Sequence, residues 1–403
     1  MDIDRLKQEV CDRVDAIADR LIDASHRIHA TPELNFEEHH AHALLTDLID
    51  ELGTDVGLRA ERHAWGLETA FDAATGGPGL PTIAVLCEYD ALPGLGHACG
   101  HNIIATAGLG AGLAAAVVAE AAGGRLRLMG TPAEEGGGGK IHMARQGAFD
   151  GVDAAMMVHP ADADLIRMDC LAIHTVDVEY HGLSAHAAAA PWEGRNALDA
   201  AVLGYMNLAA MRQHIRPDER IHGIITNGGA KPNIVPSAAA SQWYVRAGSM
   251  ERLQALKHRV HAALEGAASA CGCTMQPTWD DIQYADMIDN GPMVRSYVAN
   301  SARTGRSVTD PRATGRAVMG STDMGNISYL VPSIHPMIQV APSGVPIHSV
   351  EFARYAAAAE GDRAVIDGAK AMAMTVVDLW TSAELRAEVA AEFAVRPAGV
   401  SVL

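Results

Sequence analysis

Cysteines and aromatic residues are scarce in this sequence. Among 403 residues there are 6 cysteines and 5 phenylalanines, and aromatic side chains make up 4% of the chain. No two cysteines have the C-x-x-C spacing of many metal and redox sites, and a chain this long buries a large core without covalent cross-links. Asp2 and Asp4 also stand where a secretion signal needs positive charge. We therefore expect free thiols and a cytoplasmic protein.

Positive charge is scarce as well. The chain has 31 basic against 49 acidic residues, which gives a formal net charge of -18. An acidic surface repels phosphate backbones, so we expect no nucleic-acid partner, although the same charge also suits plain solubility. The most apolar stretch, residues 103–122, is rich in alanine and glycine. We interpret it as a buried helix and expect no membrane association.

Several familiar catalytic motifs are absent. The sequence contains no H-E-x-x-H, and no G-x-G-x-x-G follows a strand and opens a helix, which argues against a zincin protease and a dinucleotide enzyme. Residues 136–140 resemble a phosphate-binding loop, but Glu134 replaces its first glycine and Ile141 its serine or threonine. Residues 182–186 resemble the nucleophile turn of serine hydrolases, but His186 replaces the second glycine. The chemistry must therefore rest on other residues.

Hydrophobic patterns predict an α/β domain formed by the two ends of the chain. Short apolar runs, typical of strands buried on both faces, alternate with segments of helical periodicity. The predicted strands are residues 82–87, 125–129 and 154–158, and the predicted helices are residues 3–21, 102–122, 141–146, 294–303 and 350–379. This alternation predicts a mostly parallel sheet.

The pattern changes between residues 171 and 286. Strands of alternating polarity and two helices follow a βαββα order here, which is typical of a small open-faced, ferredoxin-like α+β sandwich. The predicted strands are residues 171–180, 221–226 and 238–246, and the predicted helices are residues 196–215 and 250–270. We therefore predict a discontinuous α/β domain, 1–170 and 287–403, with an inserted domain at 171–286.

Histidine, cysteine and glutamate cluster where the predicted strands end. Open α/β sheets bind ligands at the carboxyl ends of their strands, and these three residue types hold zinc and similar ions. Each cluster alone is also consistent with surface or hydrogen-bonded residues, whereas four clusters at one sheet edge favour a metal site. The clusters are Glu88 to Asp90 with His97 to Asn102, Glu134 with Glu135, His159, and His348 near the last helix.

Glu134 and Glu135 are adjacent and precede a run of glycines. Paired carboxylates suit a division of labour in which one ligates a metal and the other accepts a proton from metal-bound water. The alternative is a solvated acidic turn. The other clusters favour the first interpretation.

Taken together, these motifs resemble the di-metal aminoacylase and carboxypeptidase family, peptidase family M20. The resemblance runs through nearly the whole chain, and it is strongest to the amidohydrolase branch that includes p-aminobenzoyl-glutamate hydrolase and the β-alanyl-lysine type of dipeptidase. The matching stretches are RIHATPELNFEEH, CEYDALPGLGHACGHN, GTPAEEGGGGK, MMVHP, GLSAHAAAAPWEGRNALDA, HGIITNGGAKPNIVP, GSTDMGNIS and IHS. The resemblance implies an α/β catalytic domain with an inserted lid and dimerisation domain, and hence a homodimer.

The resemblance also implies a centre with two divalent ions, zinc or manganese, with cobalt as a third candidate. Glu134 is expected to be the general base, and Asp90 to orient His101 through its far ring nitrogen. The implied metal ligands are Cys99, His101, Glu135, His159 and His348. Cys99 stands where other branches have a bridging aspartate, and Glu88 where they have a metal-binding histidine.

Further roles are implied for residues around the substrate. His186 is expected to stabilise the oxyanion, in its own site or in that of the partner subunit. Asn233 and Arg246 are expected to hold the oxyanion and the substrate carboxylate. The loop residues expected beside the leaving amino acid are Gly320, Ser321 and Thr322.

Several residues keep two interpretations. His97 and His222 flank motifs, and each either lines the pocket or lies outside it. His335 is either a packing residue or a ligand. Asp323 is either a turn former or a pocket acid. We interpret Cys87 as a packing residue.

The function implied by the resemblance is metal-dependent hydrolysis of small N-acyl amino acids or dipeptides that carry a free carboxylate, of the p-aminobenzoyl-glutamate or β-alanyl-amino-acid type. One alternative is another reaction on the same di-metal centre, such as hydrolytic deamination of an aromatic amine. A second alternative is a catalytically silent binding protein, against which the intact Glu134 and ligand positions argue.

Overall fold

A computed structural model of the chain describes residues 2–313, 319–396 and 401–403. These residues form two compact units. The first unit holds the described residues within 1–169 and 287–398, and the second holds those within 170–286 and 399–403. The chain thus leaves the first unit after residue 169, returns to it at residue 287, and contributes its last described residues, 401–403, to the second unit. The assignment of these units as a catalytic domain and a lid stays a prediction.

Helices and strands alternate through much of the described chain. The α-helices are α1 (Ile3–Ala16), α2 (Ala18–Ala30), α3 (His39–Leu52), α4 (His101–Ala122), α5 (Gly139–Arg145), α6 (Ala197–Met211), α7 (Met250–Ala270), α8 (Gly291–Arg303), α9 (Met324–Leu330), α10 (Val350–Tyr355), α11 (Ala359–Thr381) and α12 (Ala383–Ala394). The β-strands are β1 (Ala60–Arg62), β2 (Phe71–Thr75), β3 (Thr82–Glu88), β4 (Arg125–Thr131), β5 (Ala154–Met156), β6 (His159–Ala161), β7 (Asp169–Cys170), β8 (Ala172–His181), β9 (Arg220–Asn227), β10 (Ala238–Ala247), β11 (Thr274–Trp279), β12 (Met319–Gly320), β13 (Ser333–Ile334) and β14 (Met337–Gln339).

The first unit is built on a six-stranded sheet with the order β1-β2-β4-β3-β5-β13. Strands β4, β3, β5 and β13 run parallel to one another, whereas β2 is antiparallel to both of its neighbours, β1 and β4. Every residue of β3 is buried, as expected for an apolar strand covered on both faces. The predicted α/β class with a mostly parallel sheet is therefore confirmed.

Helix α4 lies in the core of the first unit, packed against β3 and α11. It begins after Gly100 and ends at Gly123, and both glycines have a left-handed backbone with φ 79° and 66°, a conformation that costs glycine little. A Cβ on Gly108 would lie 2.5 Å from the Leu86 carbonyl oxygen, so the helix sits very close to the strand. Among the described residues α4 alone is long and apolar enough to cross a membrane, but 94% of its apolar window is buried inside the fold. It is a buried helix, as predicted.

Two predicted helices are each divided in the structure. The segment 3–21 breaks at Ile17, which leaves helical geometry with φ -111° and ψ 9°. The final segment 350–379 breaks after α10, because Ala358 is extended with φ -105° and ψ 177°, and the second part continues to Thr381. In the first case Val14 and Leu21 are buried on either side of the break. Hydrophobic spacing that continues across a break cannot reveal it.

The second unit contains a four-stranded antiparallel sheet with the order β11-β8-β10-β9. Helices α6 and α7 pack against each other and against β8 and β10. Strand β11 was not predicted from the sequence. It lies at the edge of this sheet, contains Pro277 and alternates between exposed and partly exposed residues. The unit therefore has a βαββαβ arrangement. Its role as a lid and dimerisation domain stays a prediction.

Candidate metal centre

The sheet of the first unit brings the predicted ligand segments to one edge. The parallel strands β3, β4 and β5 end at Glu88, Thr131 and Met156. The chain therefore delivers Asp90, Glu134 and His159 to the same side, where open α/β sheets bind ligands.

Cys99 belongs to two sets of side chains whose potential ligand atoms lie within 4.8 Å of one another. One set consists of Cys99, His101 and His159, and the other of Cys99, Glu135 and His348. The structure thus brings together all of the side chains predicted as ligands. Because the Cys99 thiol is common to both sets, the arrangement suits two neighbouring ions that share one sulfur ligand.

The two buried histidines are oriented by their outer ring nitrogens. His101 Nδ1 lies 3.0 Å from Asp90 Oδ1, and His159 Nδ1 lies 2.7 Å from the Pro160 carbonyl oxygen. When Nδ1 donates in these hydrogen bonds, the lone pair of Nε2 points to the cluster, as in most histidine metal ligands. His159 Nε2 accordingly lies 3.3 Å from Cys99 Sγ. The structure places Asp90 where the predicted orienting role requires it.

Asp90 also fixes the loop that carries the paired glutamates. Its second oxygen, Oδ2, accepts a hydrogen bond of 2.9 Å from the Glu135 backbone N–H. Burial by itself would raise the pKa of Asp90, but the hydrogen bond and the charge of His101 outweigh it and hold this pKa below its usual value. Asp90 therefore links two predicted ligands, His101 and Glu135.

The paired glutamates have different neighbours. Glu135 Oε1 lies 3.6 Å from His348 Nε2 and 3.8 Å from His101 Nε2, whereas Glu134 Oε2 lies 3.9 Å from His101 Nε2. Burial, together with the charges of Glu88 and Glu135, raises the pKa of Glu134 well above its usual value. A carboxyl group with a raised pKa holds a proton more readily near neutral pH, which suits a general base that later becomes an acid.

Glu38, a buried glutamate that was not predicted as a site residue, binds the backbone directly before Glu134 and Glu135. Ala133 has a left-handed backbone with φ 58°, which is unfavourable for alanine. Glu38 Oε1 accepts a hydrogen bond of 2.9 Å from the Ala133 N–H, and Glu38 Oε2 accepts one of 2.7 Å from Thr69 Oγ1. Burial raises the pKa of Glu38 to about 7. Glu38 is one of three glutamates in the stretch PELNFEEH, and its place in that stretch was the available signal.

A buried ion-pair network lies next to the candidate metal centre, and it was not predicted from the sequence. Lys140 Nζ contacts Glu88 Oε2 and lies 2.7 Å from Asp323 Oδ1. The Lys140 backbone N–H donates to Asp323 Oδ2 at 2.9 Å. All three side chains are fully buried. Of the two interpretations of Asp323, the structure favours a buried acid, and this acid is bound to a lysine.

The residues present fit divalent cations. Three buried atoms have no hydrogen-bond partner among the described residues, although they converge on the cluster: Glu88 Oε1, His101 Nε2 and Glu135 Oε1. The surrounding carboxyl groups face a single lysine ammonium within this cluster, Lys140. The carboxyl groups are the buried Glu88, Asp90, Glu134 and Asp323 and the partly buried Glu135. Unpartnered acceptors and excess negative charge are what bound cations would neutralise.

Other predicted residues occupy varied positions. His335 is buried beside His159, with ring centroids 5.3 Å apart, and His97 is buried near His29. Neither ring nitrogen of His335 or His97 has a hydrogen-bond partner in the described chain. His97 as a pocket residue, and His335 as a packing residue or a ligand, stay predictions. His222 is exposed on β9, next to Tyr244. Cys87 is fully buried in the hydrophobic core, consistent with packing.

The predicted substrate residues divide between the units. Thr322 is buried in the first unit, where its Oγ1 accepts a hydrogen bond of 3.2 Å from the Met324 N–H. Gly320 ends β12, and Ser321 follows it directly before Thr322. In the second unit, His186 Nδ1 accepts hydrogen bonds from the N–H groups of residues 188 and 189, and Asn233 is exposed. Arg246 is half-buried, and its Nε has no partner in the described chain. Their roles stay predictions.

Comparison with known proteins gives consistent results. The model of peptidase family M20/M25/M40 matches residues 84–376. The chain is 40% identical to a mouse Xaa-Arg dipeptidase over 94% of this chain and 90% of that protein. It is 29% identical to one of the subunits of the p-aminobenzoyl-glutamate hydrolase of Escherichia coli K12, over 94% of this chain and 92% of that subunit. A dinuclear metal-binding peptidase from Bacillus subtilis has the same fold, with a TM-score of 0.71 and 19% identity over 91% of this chain and 99% of that one.

Proposed function

The chain belongs to peptidase family M20/M25/M40, and we propose that it is a dipeptidase or N-acyl amino acid hydrolase whose substrate carries a free carboxylate. As a member of this family it is a metal-dependent hydrolase of amide bonds. The observation that carries the proposal is the pair of ligand sets that share Cys99. Glu134 lies beside them as a buried carboxyl group with a raised pKa.

Each residue of the centre receives a role in this proposal. Two bound divalent ions would supply an activated water molecule and polarise the amide carbonyl. Glu134 accepts the proton of the attacking water and passes it to the leaving nitrogen. Asp90 keeps the His101 ring in its orientation. The side chains that hold the ions are Cys99, His101, Glu135, His159 and His348.

The Cys99 thiol indicates which metal ions the centre binds and in which compartment the protein acts. Thiolate ligands favour zinc and similarly thiophilic ions, while the carboxylate ligand also accepts manganese or cobalt. All six cysteines are free, and a thiol ligand must stay reduced to bind metal. We therefore propose zinc or manganese, with cobalt as a substitute, in a cytoplasmic enzyme.

Arg246 supports a substrate with a free carboxylate. Burial lowers the pKa of its guanidinium, and its Nε has no hydrogen-bond partner among the described residues. A substrate carboxylate would stabilise the buried guanidinium charge and give Nε an acceptor, through charge-assisted hydrogen bonds. His186 and Asn233 would donate to the oxyanion, and the loop 320–322 would contact the leaving amino acid. Because the mouse relative is named an Xaa-Arg dipeptidase, we propose dipeptides with a basic C-terminal residue as the first substrates to test.

A substrate panel with defined metals tests this function. Protein stripped with a chelator should release no amine, and added zinc, manganese or cobalt should restore cleavage of dipeptides that end in arginine or lysine. β-Alanyl dipeptides and p-aminobenzoyl-glutamate complete the panel, with an amidated dipeptide as the control for the carboxylate. Ammonia release from an aryl amine, without cleavage of any acyl amino acid, would instead establish the deaminase alternative.

We also propose a homodimer formed through the second unit. Helix α6 and the edge strand β9 expose large apolar side chains, among them Met206 at 58% and Ile224 at 62% exposure. Within the described chain β9 pairs on one side only, with β10. Exposed apolar residues beside an open strand edge are typical of an interaction surface. A two-fold symmetric dimer would cover this surface on both copies.

Two lysines on this surface should abolish the dimer. We expect wild-type protein to have the mass of a dimer by light scattering, and Met206→Lys with Ile224→Lys to have the mass of a monomer, because buried lysines would need costly desolvation. Val395→Lys, at an apolar side chain of the first unit that is 83% exposed, is the matched control and should stay dimeric. A monomeric wild type at micromolar concentration, or a dimeric double variant, contradicts the proposal.

A further inference from the structure

We propose that Glu88 is a further metal-binding carboxylate of this centre and that Lys140 and Asp323 position it. The inference rests on the proposed metal centre and adds a ligand beside His101, which also belongs to the set with Cys99 and His159. Together with His101 and Glu134, Glu88 forms a third set of potential ligand atoms that lie within 4.8 Å of one another.

One oxygen of Glu88 is buried without a hydrogen-bond partner among the described residues. Glu88 is fully buried at the end of β3, and its Oε1 has no hydrogen-bond partner in the part of the chain that the structure describes. Oε1 lies 3.1 Å from His101 Nε2, an atom that also has no partner there. A buried carboxylate oxygen without a partner is costly unless a cation neutralises it.

The ring orientation of His101 leaves its Nε2 facing Glu88. Its Nδ1 faces Asp90 at 3.0 Å, so a neutral ring that donates to Asp90 presents a lone pair at Nε2. With neither a proton nor a cation between them, that lone pair and the lone pairs of Glu88 Oε1 repel each other. A metal ion bound by both atoms removes this repulsion, and a proton on Nε2 competes for the same place. His101 Nε2 also belongs to the set with Cys99 and His159, so the two sets meet at this atom.

Glu88 is also held in a single orientation. Its Oε2 contacts Lys140 Nζ, so only Oε1 is left to face the cluster. Asp323 in turn uses both oxygens on Lys140, with Oδ1 on Nζ and Oδ2 on the backbone N–H. One ammonium shared by two carboxylates leaves this buried network with a net negative charge. Lys140 therefore orients Glu88 without neutralising the network.

The test measures metal binding directly. In wild-type protein loaded with zinc we expect two ions per chain by mass spectrometry of the metal content. Glu88→Gln should weaken the binding of one of these ions by at least about 10- to 100-fold, the loss already seen when a side chain that only supports a metal ligand is replaced. The Co²⁺-substituted variant should also show a changed visible absorption spectrum, because the ligand field of one ion has lost an oxygen anion.

Two further variants keep the test decisive if Glu88→Gln fails to fold. Glu88→Asp retains the charge but withdraws the carboxylate by one methylene, and it should show the same weakened ion. Lys140→Met should loosen Glu88 and weaken the same ion less strongly. Its matched control is Lys7→Met, which removes another largely buried lysine, paired with Asp378, and should leave both ions and the Co²⁺ spectrum unchanged.

The outcomes separate this inference from the proposed function. If wild-type protein binds two ions and hydrolyses amides, while folded Glu88→Gln and Glu88→Asp keep both affinities and the wild-type Co²⁺ spectrum, Glu88 is not a ligand and the proposed function stands. If wild-type protein binds no divalent ion after reconstitution, both proposals are overturned together.

Discussion

Replacing Glu134 with glutamine should lower kcat for amide hydrolysis by about 10²- to 10⁴-fold, the usual contribution of a general acid–base group. Glutamine keeps the size of the side chain but cannot accept the proton of the attacking water. The metal content should stay at two ions per chain, because the sets that share Cys99 do not include Glu134. Steady-state kinetics and metal analysis of the same preparation measure both quantities.

The neighbouring glutamate provides the matched comparison. Glu135 belongs to the set with Cys99 and His348, so Glu135→Gln should lose an ion, and excess metal should restore part of its activity. Excess metal should not restore Glu134→Gln. A Glu134→Gln enzyme with wild-type kcat would remove Glu134 from the mechanism, and a Glu134→Gln enzyme that loses metal would make it a ligand instead of the base.

Cys99→Ala should remove both ions and reduce hydrolysis to the background level. The reason is that Cys99 Sγ belongs to both ligand sets, so one truncation affects both sites at once. His159→Ala, in contrast, should affect only one of them directly. Metal analysis after gel filtration through metal-free buffer, followed by titration with zinc, distinguishes the loss of two ions from the loss of one.

Cys87→Ala is the control for this substitution. Cys87 is also fully buried, in the core rather than at the centre, so its replacement leaves a similar small cavity but should keep both ions. Cys99→Asp should recover binding of manganese better than of zinc, because a carboxylate is a harder ligand than a thiolate. Retention of two tightly bound ions in Cys99→Ala would refute the shared-ligand arrangement.

Local patterns in the sequence predicted the core of the first unit well. The apolar run of β3 and Gly123 at the end of α4 are local signals, which can be recognised without knowing the tertiary contacts. The break at Ile17 and the edge strand β11 were missed for physical reasons. The break does not interrupt the buried face of the helix, and β11 is too polar and exposed to stand out from a loop.

The site was predictable only in part. Cys99 and His101 are neighbours in sequence, so their spacing reveals them as a possible ligand pair. Lys140 and Asp323 are 183 residues apart, and no local pattern connects them. Glu38 and Ala133 are likewise 95 residues apart. Such contacts depend on the tertiary fold, which brings distant buried charges together where they must be paired.

The place of His348 in the chain has a consequence for the newly made protein. Ribosomes synthesise the chain from the N-terminus, and domains generally fold as they emerge. Cys99 and His159, 60 residues apart, precede residues 170–286 of the second unit, whereas His348 follows them. A nascent chain therefore contains one full ligand set while residues 170–286 are synthesised, and it gains the other only when His348 has been added. Hydrolytic competence thus has to wait until residues 170–286 have been translated.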